Sequence, residues 1–240
     1  MDRETGLRHV HEGIATTRAV LAAEDPGTPV VSCPGWTLHD LGAHLAQIHR
    51  WVAGGITHGH PDTVVPEAPG DREGLLAWYD DGAAALVGLL EGRDPGSECW
   101  TFHPADRTVG FWIRRQAHEH AVHAVDATRT AGAEKPLDPG LALDGVDEVV
   151  RVFFPRQVRL GRIAPLTRTL ALAPDGGPAS VLAGDGTQPV DAAAAQATVG
   201  GPADVLYLLL WGRAGLDDPR LTLTGDPEAA RSVLGTRLVP

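Results

Sequence analysis

The sequence predicts an α+β protein in which a four-helix bundle is followed by a smaller α/β domain. Three observations carry that expectation. The first half holds four apolar-periodic segments of helical length separated by loops. Past Gly132 the texture changes to short β-like runs broken by Gly, Asp and Pro. A chain of 240 residues with 43% hydrophobic content can support a core in each part. The boundary is placed at 145, giving a bundle over 1–145 and a small α/β domain over 146–240.

The elements follow in order. Residues 3–23 carry Leu7, Val10, Ile14, Ala15, Val20 and Leu21 at roughly helical spacing and end before "AEDPGTP". In "CPGWTLHD" a turn leads to Thr37 as N-cap, with Asp40 three residues on in a capping-box arrangement. The helix it starts, from Leu38 to about Ile56, is apolar on two sides and so is expected to be well buried. The Gly/Pro/His-rich segment "THGHPDTVVPEAPGD" links it to a third helix near 71–91, and a fourth runs from about Gly110 to Gly132. Four helices joined by loops favour an up-down bundle. Beyond a linker and a short helix in "EKPLDPGLALDGVDEVVRVFFPRQVRLGR" come the strand-like runs "PLTRTLALAP", "SVLAGD" and "AQATVGG". The helix "PADVLYLLLWGRAG", the strand "RLTLTGD" and a last helix "PEAARSVLG" complete the chain.

Composition removes several function classes. The net charge is −11 with no run of Lys or Arg, which argues against a nucleic-acid partner. Two cysteines, Cys33 and Cys99, do not make a disulfide framework. The start of the chain has no apolar signal core and no stretch of eighteen apolar residues occurs, so a cytoplasmic protein without a membrane partner is expected.

The chemistry concentrates in residues 114–127, "RRQAHEHAVHAVDA". Glu119 and His123 are four apart and share a helix face, which Asp126 continues. A carboxylate and a neutral imidazole converging on one point suit a divalent metal. The zincin pattern is absent, because the residue four after His118 is Val122. A third ligand has to come from a facing helix, and the second helix offers two. His44 shares an apolar stripe with Leu41, Ile48 and Trp51 that is expected to face into the bundle. His49 shares another with Leu38, Leu45, Val52 and Ile56, and periodicity does not choose between them. The plain alternative for Glu119 is an intrahelical pair with Arg115, four residues before it. His118 and His120, off the Glu119/His123 face, are expected on the surface. The aromatic residues Trp100, Phe102, Phe111 and Trp112 are read as packing. Cys33, just before a helix start, is read as a half-buried structural thiol.

Three segments in register, "CPGWTLHDLGAHLAQIHRWVAG", "RRQAHEHAVHAVDA" and "ADVLYLLLWGRAGLDDPRLTLTGDPEAARSV", resemble the mycothiol-dependent maleylpyruvate isomerase family across nearly the whole chain. The resemblance implies a DinB-like four-helix bundle carrying a divalent metal, usually zinc, and a smaller α/β C-terminal domain. It implies His44, Glu119 and His123 as the metal ligands, which settles the choice on the second helix. Where many relatives have Arg-Trp-Asp-Ala, this chain has Ala124-Val125-Asp126-Ala127. Asp126 is kept, as a residue that can orient His123, and the basic residue is not. The implied cosubstrate is mycothiol, activated as a thiolate for S-transfer to, or isomerisation of, an electrophilic small molecule. S-transfer is favoured over action on maleylpyruvate itself, and the enzyme is expected to be a monomer or homodimer. The alternatives from other classes are a non-catalytic metal- or thiol-binding sensor and a metal-free interaction protein with core histidines.

Overall fold

The computed structural model describes residues 1–60 and 65–240. Residues 61–64 of the expected linker lie outside them. The chain divides into two compact units, residues 1–136 and 137–240.

In the first unit four long helices follow one another: α1 (Arg3–Ala23), α2 (Leu38–His58), α3 (Arg72–Gly92) and α4 (Val109–Thr130). Each starts where a side chain can satisfy the free amides of its first turn. Asp2 accepts from the Thr5 amide, Asp71 from Gly74 and Thr108 from Phe111. The expected capping box at Thr37 is present, with Thr37 accepting from the Asp40 amide and Asp40 from the Thr37 amide. α1 packs along α4 and α2 along α3. The first contact is close because Gly13 sits against His120; a Cβ there would lie 2.5 Å from the His120 Cβ.

α4 is the central helix. Sixteen of its 22 residues are buried, on every side, because Ala117, Ala121, Val122, Ala124, Val125 and Ala127 let neighbours approach from all directions. That overturns the surface expectation for two histidines: His118 and His120 are both 0% exposed. α2 does have two apolar faces, but they are used differently. Leu38, Leu45, His49, Val52 and Ile56 are buried, whereas Ile48 and Trp51 on the His44 stripe are only half-buried. The His49 face is therefore the one in the core. The aromatic residues expected to pack do so: Trp51 meets Trp100 and Trp112 edge to face at 5.2 and 5.5 Å, and Phe102 meets Phe111 at 5.1 Å.

The second unit opens with α5 (Pro139–Glu148), a π-helical turn (Val149–Phe153) and α6 (Phe154–Arg159). α5 lies whole within this unit. The wide turn ends just before Pro155, which has no amide to continue an α-helical ladder. The four strands are β1 (Leu166–Pro174), β2 (Ser180–Gly184), β3 (Ala197–Gly201) and β4 (Thr222–Gly225). They form one mixed sheet in the order β2-β1-β3-β4, with β1 and β3 parallel and the outer pairs antiparallel. α7 (Ala203–Leu210) and α8 (Pro227–Leu234) pack on β1 and β3, and α7 packs on α5, where Gly145 faces the Tyr207 ring. Leu170, Leu172, Leu182 and Val199 are fully buried in the sheet.

Candidate metal centre

Three side chains from two helices meet at one point. Glu119 and His123 project from the same face of α4, and His44 reaches them from α2. Their donor atoms all lie within 4.8 Å of one another. The Glu119 Oε1 is the hub, 3.1 Å from His44 Nε2 and 3.5 Å from His123 Nε2. Donors about 2.0–2.1 Å from a tetrahedral zinc stand roughly 3.3 Å apart, and these two separations bracket that spacing. The donor set, two imidazoles and a carboxylate, therefore fits a divalent cation, with zinc suited by geometry and ligand type.

The surroundings prepare each donor. Arg115, only 3% exposed, holds the other oxygen of Glu119 at 2.5 Å. The intrahelical pair and the donor role are thus compatible, since each uses its own carboxylate oxygen. Burial alone would raise the Glu119 pKa, but the Arg115 charge and the hydrogen bonds to His123 and His44 outweigh it and hold the carboxyl well below its usual range. On His123 burial again opposes charge. Its hydrogen bonds to Asp126, Cys33 and Glu119 overcome that and hold the metal-free imidazole well above 6.5.

Asp126, 0% exposed, lies 2.9 Å from His123 Nδ1. A carboxylate on Nδ1 keeps the proton there and turns the Nε2 lone pair toward His44 and Glu119. Asp126 is itself fixed by residues 28–37, a tight loop closed by the Pro29–Thr37 bridge. Ser32 donates its hydroxyl to Asp126 Oδ1 at 2.6 Å, and the Cys33 thiol donates to Oδ2 at 3.4 Å. Cys33 is half-buried, as expected for a structural thiol. From the same loop Trp36 packs against His44 and His123, with ring centroids 4.9 and 6.1 Å away.

His49 does not reach this centre. It pairs with His120 in the bundle core, Nε2 to Nε2 at 3.2 Å, and stands edge-on to Tyr79. His118, His120 and His49 are thus core residues. Beside His44 a groove of about 420 Å³ opens, lined by His44, Gln47, Ile48, Trp51 and Val65. Sequence alone assigns no site role to Ser32, Trp36, Gln47 or Trp51, the last of which it places only on the His44 stripe. The signal for two of them was present, because Gln47 and Trp51 lie three and seven residues after His44 on one helical stripe. Nothing in the sequence announced that the loop before α2 would clamp a residue of α4.

A helical bundle with a two-helix, three-donor centre, joined to a small mixed-sheet unit, defines the class. Residues 7–128 match the family model of the mycothiol maleylpyruvate isomerase N-terminal domain, and residues 140–232 match the C-terminal domain of the same family. The chain belongs to the mycothiol maleylpyruvate isomerase family. Two solved structures share its fold. A mycothiol-dependent maleylpyruvate isomerase superposes with a TM-score of 0.65 at 18% identity, covering 94% of this chain and 95% of that one. A histidine-to-alanine mutant of a mycothiol-dependent maleylpyruvate isomerase gives 0.67 at 16% identity, with the same coverage of both chains. No curated protein matches the sequence. Among the described residues no helix is long and apolar enough to cross a membrane.

Proposed function

We propose that this chain is a divalent-metal-dependent enzyme, with zinc as the metal, that uses mycothiol as a thiolate against an electrophilic double bond in a small molecule. The observation that carries this reading is the convergence of His44, Glu119 and His123 on one point beside an open groove. Family membership supports mycothiol as the thiol and isomerisation as a reaction class; the donor set supports the metal.

His44, Glu119 and His123 would hold the cation, and bound there it lowers the pKa of a coordinated thiol from about 8.5 so that the thiolate is present at neutral pH. The chain supplies the rest. Asp126 keeps the proton on His123 Nδ1, so Nε2 remains a lone-pair donor. Arg115 keeps Glu119 ionised through the oxygen that the histidines do not use. Trp36 packs over both imidazoles, while the groove side of His44, whose side chain is 29% exposed, leaves an approach for ligands. The thiol proton passes to solvent water, which returns it wherever the thiol or the S-conjugate is released. Addition forms a C–S bond at one alkene carbon and moves the π pair toward the activating carbonyl. Rotation and C–S cleavage then return the isomerised alkene and the thiol. Protonation of the adjacent carbon gives the S-conjugate instead.

The test is a purified, zinc-loaded protein given mycothiol and an activated cis-alkene, with product followed by chromatography. The expected result is thiol-dependent isomer or conjugate, lost in His123→Ala. Stoichiometric thiol binding without turnover would reassign the protein to the binding-only class.

A further inference from the structure

The groove beside His44 carries information about the substrate that the metal centre does not. On the reading that this is a thiol-using enzyme, we infer that the groove selects an uncharged electrophile with an apolar or aromatic body, and disfavours a carboxylate-bearing one.

The argument begins with the wall. His44, Gln47, Ile48 and Trp51 form one stripe of α2, and Val65 faces them. A volume of about 420 Å³ suits a small molecule. Ile48, Trp51 and Val65 give it apolar sides, and the exposed Gln47 offers one neutral amide that can donate and accept. Trp51 is a rigid surface, since the Trp100 and Trp112 rings brace it edge to face from behind. A flat aromatic ligand gains from such a braced indole at little entropic cost.

Charge points the same way. Among the described residues that line the groove none is a permanent cation. Two arginines of α2 and α4 that stand near His44 and Glu119 in sequence are engaged elsewhere. Arg50 lies over the Trp78 ring at 4.1 Å and donates to the Ala46 and Trp78 carbonyls. Arg115 is buried against Glu119. Among the described residues from Trp51 to Asp71 there is no Lys or Arg, and Glu67 and Asp71 are acidic. A carboxylate lying along Ile48 and Trp51 would lose water and gain no permanent cation from the described lining residues. The ester or amide of the same molecule avoids that cost.

A matched pair tests it: dimethyl maleate against maleate, each with mycothiol and zinc-loaded protein, both rates divided by their uncatalysed rates with the same thiol. The expected outcome is an acceleration of the diester at least about 30-fold above that of the dianion. Calorimetric titration with the two purified thioether products reads the same preference without turnover. The diester conjugate binds tighter, and Trp51→Ala weakens it about tenfold. Should Trp51→Ala not fold, Ile48→Ser tests the same wall. Gln47→Arg, at an exposed position, moves the preference toward the dianion. Equal or better handling of the dianion by wild type, or binding of the conjugates unchanged by the wall substitutions, overturns the inference. Zinc content measured on the same samples separates the two levels of the account. Loaded protein that prefers the dianion sinks the substrate class alone, whereas protein that binds no zinc sinks the reading beneath it.

Discussion

Two histidine pairs cross from α2 to α4 with nearly the same ring separation, 5.1 Å for His44 and His123 and 5.0 Å for His49 and His120. Their surroundings are opposite. His44 and His123 share Glu119 between them, with Asp126 behind His123 and a groove in front of His44. His49 and His120 are 0% exposed, bonded to each other and packed against Tyr79 and the backbone of Gly13. Burial, with the neighbouring charges, pushes the His49 pKa well below 6.5 and that of His120 down to about 3, while hydrogen bonds push His123 the other way. Geometry alone does not make a ligand; a carboxylate facing the ring and an open side do. The inner pair is a neutral polar contact that pins two helices together.

The comparison breaks most visibly under exchange of roles. His49→Ala leaves a cavity and an unpartnered ring nitrogen, and should cost about 2–4 kcal/mol in denaturant unfolding while leaving metal binding in place. His44→Ala, at a half-exposed position, should cost under about 1 kcal/mol in stability and remove a ligand. Similar losses of stability from both would erase the distinction. Asp126→Asn comes next. With the carboxylate gone from Nδ1, zinc affinity measured by chelator competition should fall about 10- to 100-fold. An unchanged affinity would mean that Asp126 serves packing alone.

How far these assignments were legible from the sequence depends on what each residue needed. The four helices and four strands could be read because period, caps and turn residues are local signals; the Thr37–Asp40 box is an example. The Glu119/His123 pairing was legible from spacing, and the choice of His44 came from the resemblance, not from the helix pattern. The lack of candidate ligands on a helix face does not put that face outside, and His118 and His120 are buried against the surface expectation. A helix as rich in small residues as α4 is surrounded, and its Ala/Val positions on all faces were the missed clue. The roles of Ser32 and Trp36 could not be read, since they depend on a loop folding back onto residues 94 and 87 positions away.

Two smaller effects sharpen the contrast. Unfolded histidines take up a proton near 6.5 but the buried His49 and His120 do not, so the unfolded state binds more protons below that pH. Stability from this pair is therefore complete above about 6.5 and is lost as pH falls toward 3, by at most about 1.4 kcal/mol per pH unit for each ring. Denaturation midpoints of metal-free protein at pH 7.5, 6 and 5 should fall in that order, and less steeply in a His49→Leu/His120→Leu double variant. His123 has the opposite sign: its raised pKa stabilises the metal-free fold at low pH and that contribution fades as pH rises through the folded value. The smallest effect is expected from Ser32→Ala. Asp126 keeps its bonds to His123 and Cys33, so zinc affinity should drop only about three- to tenfold.

The most direct measurement is elemental analysis of the purified protein beside His44→Ala, His123→Ala and His49→Ala. The account predicts about one zinc per chain in the wild type and in His49→Ala, and none retained in His44→Ala or His123→Ala. Wild-type protein that keeps no metal after zinc is offered and the excess removed, or metal lost only with His49, would contradict it.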